Sequence, residues 1–181
     1  RRETVSRLVV AVDTTHEHGS IALARGNEIL EELPLHADEG LAQILYGRIG
    51  ALLARHAVRV RDVDLFAAAS GPGSFTGVRV GLACVKGLAE ALRKPAVGIS
   101  NLEALAFCGN GPLRAAILDA RRGDIYGAVY DSGGALVLPE VVAKLNAAVV
   151  KALDDEGVRK RLLDLGSVIP AGADRTPAAL G

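Results

Sequence analysis

The glycine-rich stretch over residues 70–82 has the residue types of an anion-binding turn. Its glycines permit close backbone approaches, and Ser74 or Thr76 can cap the amides of a helix that begins there. The candidate anion-site residues are Gly71, Gly73, Ser74, Thr76 and Gly77. A helix N-terminus of this kind favours an anion such as a phosphate. The alternative is a tight strand-to-helix connection without a ligand, and the residue types leave both interpretations open.

Known phosphate and nucleophile motifs do not match this stretch. A P-loop requires a lysine directly after its last glycine, followed by serine or threonine, and this chain has Val78 and Arg79 in those two positions. A nucleophile elbow requires glycines two residues to either side of its serine, whereas Ser74 has Pro72 and Thr76 there. A variant dinucleotide fingerprint lacks an acidic residue at the end of the next strand, residues 96–100. Nicotinamide binding is kept as an alternative.

Two helices and several strands must position the stretch. We expect a buried strand over residues 63–69, a helix from the stretch to Leu92, and another helix over Leu41 to Arg55. Three strands joined by short turns are expected before them, within residues 8–35. Both helices are apolar around much of their circumference, which predicts either mutual burial or a paired-helix surface for another chain.

The second half of the chain approximately repeats the opening pattern. Its first strand ends in Asp119 as the first strand of the chain ends in Asp13, and a hairpin follows in both places. The repeat predicts an α/β protein of two related lobes, residues 1–110 and 111–181, of which the second is short. One helix is expected there, over Val141 to Leu153, before a loosely ordered tail.

Composition and charge limit the classes of function that the chain can have. Of the 181 residues, 50% are hydrophobic and only 3% are aromatic, while 21 basic residues balance 21 acidic ones. This balance excludes the basic surface of an independent nucleic-acid binder. No apolar run approaches the ~18 residues that span a bilayer, and Cys84 and Cys108 lack metal-ligand spacing. We expect a globular protein of the reduced cytoplasm without membrane association.

The four histidines show no metal-ligand pattern in the sequence. His16 and His18 are two residues apart in a turn, which is poor spacing for a metal pair, and both are expected to face solvent. His36 and His56 stand alone along the chain.

Three separated segments carry a resemblance to a known family. They are the glycine-rich stretch, residues 13–15 after the first strand, and residues 118–126 of the second lobe. Together they resemble the bacterial TsaB (YeaZ-type) family, over roughly residues 8–140. The resemblance implies a duplicated actin-like, Hsp70-like and hexokinase-like (ASKHA) fold. It also implies a non-catalytic subunit that binds and activates a larger paralogue, TsaD, when threonylcarbamoyladenosine is made beside the anticodon of tRNA.

The same resemblance implies partners and the loss of a metal site. TsaD would form a heterodimer with this chain, the ATPase TsaE would complete the assembly, and tRNA would be contacted only indirectly. Pairing of like lobes would also permit a homodimer. The His-x-x-x-His metal ligands of TsaD fall at Asn101 and Leu105 here, and neither side chain can replace an imidazole. We therefore expect no metal, no cofactor and no catalysis.

The partner surface is expected on the two apolar helices. Its candidate contacts are Tyr46, Ile49, Arg79, Ala83 and Lys86. A separate, vestigial nucleotide site is expected at Asp13, Thr14 and Asp119, where nucleotide-binding members of the superfamily place carboxylates. The loop after Asp13 is not glycine-rich, which favours a role in capping and turn formation. A nucleotide-dependent phosphotransferase of the same fold and a glycoprotease-like peptidase are the enzymatic alternatives.

Overall fold

The described part of the chain divides into two compact units. The computed structural model describes residues 6–36, 40–121, 124–144, 155–157 and 160. The units span residues 1–105 and 106–181. The predicted lobe boundary at residue 110 lies near this division and stays a prediction.

A mixed sheet of five strands organises the first unit. Its strands are β1 (Leu8–Asp13), β2 (His18–Arg25), β3 (Glu28–His36), β4 (Leu65–Ala69) and β5 (Ala96–Ile99), in the order β3-β2-β1-β4-β5. Strand β2 pairs antiparallel with both β1 and β3, whereas β4 pairs in parallel with β1 and β5. In β4 the central residues Phe66, Ala67 and Ala68 are all buried, as expected for a parallel strand that is covered on both faces.

Two long helices pack on this sheet. Helix α1 (Leu41–Arg55) contacts β2 and β3, and α2 (Phe75–Leu92) contacts β1, β4 and β5. Leu45 and Leu52 of α1 and Val85 of α2 are buried in the core that the sheet and helices share. These bounds confirm both predicted helices. A short helix α3 (Asn101–Phe107) follows β5. Among the described helices, none combines the length and the apolar character that crossing a bilayer requires.

The second unit contains an antiparallel sheet of three strands. They are β6 (Leu113–Arg121), β7 (Asp124–Asp131) and β8 (Leu136–Lys144), in the order β6-β7-β8. The predicted helix over Val141 to Leu153 is wrong at residues 141–144, which pair with residues 124–127 of β7. The β-branched valines of this segment suit a pleated strand better than a helix. Residues 145–153 of that prediction lie outside the described residues.

Candidate functional site

A serine cap holds the first turn of α2. Ser74 lies just before the helix, and its Oγ accepts a hydrogen bond from the Gly77 N–H over 3.2 Å. The Val78 N–H donates to the Ser74 carbonyl over 2.9 Å. Of the two predicted caps, the structure therefore uses Ser74, and Thr76 is an exposed residue within the helix. Both amides are thereby bonded within the protein rather than offered to an anion.

The loop after β1 packs directly on this turn. The Thr14 hydroxyl donates to the Gly77 carbonyl over 2.7 Å, and the Ser74 N–H donates to the Thr15 carbonyl over 2.6 Å. Thr14 and Thr15 expose only 2% and 0% of their surface. Hydrogen bonds of this kind compensate for the burial of polar groups. The loop therefore acts as an internal support for the start of α2.

The glycines of the stretch make room for that loop. A Cβ atom at Gly73 would lie 2.6 Å from the Thr15 carbonyl oxygen, and one at Gly81 would lie 2.6 Å from Thr14 Oγ1. A Cβ atom at Gly77 would overlap the Thr14 carbonyl oxygen. The space that these glycines open is filled by the chain's own residues, so close packing explains them without a ligand. The anion site predicted here stays a prediction.

A polar network connects the loop to α3. Asp13 Oδ1 accepts hydrogen bonds from the N–H and the hydroxyl of Thr15, over 2.8 and 2.7 Å. The Asn101 amide nitrogen donates to Thr15 Oγ1 over 2.5 Å, and the Gly71 N–H donates to Asn101 Oδ1 over 3.3 Å. Asn101 thus bridges the loop and the glycine-rich stretch. Leu105, which stands where the resemblance places the second metal-binding histidine of TsaD, is 40% exposed.

Asp119, the second predicted carboxylate, also stabilises a turn. It lies in β6 of the second unit, where its Oδ1 accepts a hydrogen bond from the Arg121 N–H over 2.7 Å. The backbone of Arg121 has a φ of 65°, in the left-handed region. The geometry of Asp13 and Asp119 fits the capping role, and their predicted nucleotide site stays a prediction. Within the described residues, no three His, Cys, Asp or Glu side chains are grouped to hold a metal.

A cavity opens between the exposed sides of α1 and α2. It measures about 340 Å³, and most of its lining is apolar. Its lining residues are Ala42, Leu45, Tyr46, Phe75, Thr76, Arg79, Val80, Ala83 and Cys84. The two helices therefore do not bury each other completely. We call the exposed residues of this lining, together with a neighbouring lysine of α2, the paired-helix surface. It consists of Ala42, Tyr46, Phe75, Thr76, Arg79, Ala83 and Lys86.

Two aromatic side chains stand out on the paired-helix surface. Phe75 is 73% exposed, and the Arg79 guanidinium lies 3.3 Å from the centre of its ring, in cation–π contact. Tyr46 is 53% exposed. The Cys84 thiol beside Tyr46, together with partial burial, raises the pKa of Tyr46, and burial raises the pKa of Cys84. Both groups are therefore neutral at physiological pH.

The structure brings most of the predicted partner contacts together. Tyr46, Arg79 and Ala83 line the cavity, and Lys86 is exposed on α2. Ile49 instead is only 2% exposed and belongs to the core. Its side chain packs between α1 and the sheet and is not accessible to a partner protein. Phe75 also lines the cavity and was not among the predicted contacts. In the sequence, Phe75 could have been noticed as an aromatic residue that directly follows the capping residue Ser74, at the first position of the helix.

Comparison with known proteins identifies the family. A family model for TsaD, tRNA N6-adenosine threonylcarbamoyltransferase, matches residues 28–163. The TsaB protein of Escherichia coli, named a tRNA threonylcarbamoyladenosine biosynthesis protein, is 33% identical over 148 residues, which cover 74% of this chain and 64% of that protein. YeaZ from Pseudomonas aeruginosa is 32% identical with a TM-score of 0.67, over 76% of this chain and 68% of that one. The chain belongs to the TsaB/YeaZ family.

Membership of the TsaB/YeaZ family confirms the resemblance found in the sequence. It also confirms the predicted α/β fold, because the YeaZ structure superposes on this chain with a TM-score of 0.67. The TsaB protein of Bacillus subtilis is 32% identical over 81% of this chain. The chain spans 64% of the length of both curated TsaB relatives.

Proposed function

We propose that this TsaB/YeaZ chain is a non-catalytic subunit in the biosynthesis of threonylcarbamoyladenosine in tRNA. In this role it binds a TsaD paralogue through the paired-helix surface and activates it. The names of the curated TsaB relatives support the pathway, and the match to the TsaD family model supports a partner of related fold. The ATPase TsaE joins the assembly, tRNA is reached through TsaD, and a homodimer forms on the same surface when TsaD is absent.

The observation that carries the proposal is the exposure of aromatic and small residues side by side on two helices. Aromatic residues and arginine are enriched among the residues that dominate binding energy, and Phe75, Tyr46 and Arg79 are of these types. Ala42 and Ala83 between them are small, so two helices of a partner can approach closely. The cavity offers such a partner a place for an apolar side chain.

The arrangement around α3 supports a non-catalytic role. The position that corresponds to the first metal-binding histidine of TsaD holds Asn101, whose amide is engaged on both sides by Thr15 and Gly71. An amide fixed in this way stabilises the loop after β1 and is not directed at a substrate. Leu105 offers no metal-binding atom at all.

A substitution on the paired-helix surface tests the proposal. Ala83→Glu places a larger, charged side chain in the cavity, and we expect it to weaken TsaD binding at least about 100-fold, because burying a carboxylate in an apolar interface costs several kcal/mol. Ala51→Glu is the matched control, since Ala51 is exposed on α1 outside the cavity lining. Binding is measured by calorimetry with purified TsaD, and thermal unfolding checks that both variants fold.

Each outcome bears on a separate part of the proposal. If Ala83→Glu bound TsaD as tightly as the unaltered chain, the paired-helix surface would not be the interface. If TsaD modified tRNA equally well without this chain, the role as an activating subunit would be wrong. Saturable binding of ATP and magnesium to the isolated chain would instead favour the phosphotransferase alternative.

A further inference from the structure

The hairpin of β2 and β3 brings together two histidines that stand far apart in the sequence. His18 is the first residue of β2 and His36 is the last of β3, and the antiparallel register places them directly opposite each other. Their ring centres are 5.3 Å apart, with an angle of 79° between the ring planes. Both residues are exposed. The pair is therefore a product of strand register, which spacing along the chain does not reveal.

We infer that His18 and His36 form a surface binding site for a divalent transition-metal ion such as Zn²⁺. Two imidazoles bound to one tetrahedral zinc, with Zn–N bonds of about 2.0 Å, have ring centres roughly 5 Å apart. The observed separation of 5.3 Å matches this arrangement. Because both side chains are exposed, their rings can turn a nitrogen toward a shared ion without displacing packed neighbours.

The site is separate from the paired-helix surface. Side chains alternate between the two faces of a strand, and Ile21 and Leu23 of β2 and Leu35 of β3 point into the core beneath the helices. His18 and His36 therefore lie on the face turned away from α1. A test of this site does not depend on TsaD, so its outcome and that of the proposed function are independent.

The chemistry of the pair defines which ions it selects. Neutral imidazole suits Zn²⁺, Ni²⁺ and Cu²⁺, whereas Mg²⁺ and Ca²⁺ prefer oxygen ligands. Two protein ligands leave the remaining positions to water, so the ion is held as a chelate on the surface. A bound ion would tie the first residue of β2 to the last residue of β3 and thereby stabilise the hairpin.

Calorimetry with zinc chloride and the full chain tests the inference. The titration uses a Cys108→Ser background, because Cys108 is an exposed thiol that can itself bind zinc. We expect a zinc site whose affinity falls at least about tenfold in His18→Gln and equally in His36→Gln, because each change removes half of a chelate. His16→Gln and His56→Gln are the matched controls and should keep the affinity. Magnesium should not compete.

Thermal unfolding is the second measurement, and it shows whether a variant that does not bind zinc is still folded. Zinc should raise the thermal unfolding temperature of the Cys108→Ser chain but not of the His18→Gln or His36→Gln variants, while all three unfold alike without metal. Zinc affinity that survives either substitution, or that falls as much in His16→Gln, would place the ligands elsewhere. A chain that does not bind zinc at millimolar concentration would overturn the inference.

Discussion

Gly77 lies where the loop after β1 meets the first turn of α2, and a methyl group there has no room. A Cβ atom would overlap the Thr14 carbonyl oxygen and lie 3.3 Å from the Ser74 Cβ. The backbone of Gly77 is helical, so alanine suits its conformation and the conflict is purely steric. We therefore expect Gly77→Ala to force α2 and the loop apart and to weaken the hydrogen bond from Thr14 to the Gly77 carbonyl.

The expected loss of stability follows from three contributions. Overpacking of a well-packed contact costs about 1–3 kcal/mol, and the weakened hydrogen bond costs about 1 kcal/mol more. Alanine returns about 1 kcal/mol through its higher helix propensity. The free energy of unfolding should therefore fall by about 1–3 kcal/mol. For a protein of this size the unfolding temperature falls about 2–4 °C for each kcal/mol.

Gly47→Ala is the matched control for this experiment. Gly47 lies inside α1, and a Cβ atom there would meet nothing within 4 Å. The substitution should raise the free energy of unfolding by about 0.5–1 kcal/mol, because alanine is the better helix former. Urea denaturation followed by far-ultraviolet circular dichroism measures both variants. A Gly77→Ala chain that is as stable as Gly47→Ala would refute the steric reasoning.

Two further predictions concern the polar contacts of the first unit. Asn101→Ala should lower the free energy of unfolding by about 1–2 kcal/mol, because it breaks the bridge between the loop and the glycine-rich stretch; Leu105→Ala should change it by less than about 0.5 kcal/mol in the same urea titration. Hydrogen bonds from Arg55, and then His56, hold the pKa of Glu31 below its ordinary value of 4.5. This interaction should stabilise the fold above about that pH and fade as the pH falls through the lowered pKa, so thermal unfolding of Glu31→Gln and the unaltered chain should converge in acid. If the difference in unfolding temperature between the two chains were the same at every pH, the assigned role of Glu31 would be wrong.

Hydrophobic periodicity was sufficient to predict the two long helices of the first unit. The predicted bounds Leu41–Arg55 for α1 and the predicted end of α2 at Leu92 were correct. Each of these helices has a continuous apolar face that packs against the sheet. Periodicity failed at residues 141–144, where a short apolar run fits a helix and a strand equally well. Only its pairing with β7 decides the outcome there.

The exposed surface between the two helices could be predicted from the sequence, but the side chains that form it could not. Small and apolar residues on two helices indicated a surface, yet the sequence could not separate Ile49, which faces the core, from Tyr46, which faces outward on the same helix. The rotation of α1 on the sheet sets this difference, and that rotation is a tertiary property. The contact between His18 and His36 was missed for a similar reason, because it depends on strand register.

The glycine-rich stretch and the paired-helix surface are connected through Ser74. Ser74 is bonded to the loop after β1 through its N–H and caps α2 through its side chain. The next residue is Phe75, and Arg79 follows about one helical turn later. The loop therefore fixes where these two side chains stand, even though neither touches it through a described hydrogen bond. The close packing at these glycines thus fixes the position of the helix end, and we expect a change that displaces the loop to lower stability and to weaken the proposed binding of a TsaD partner.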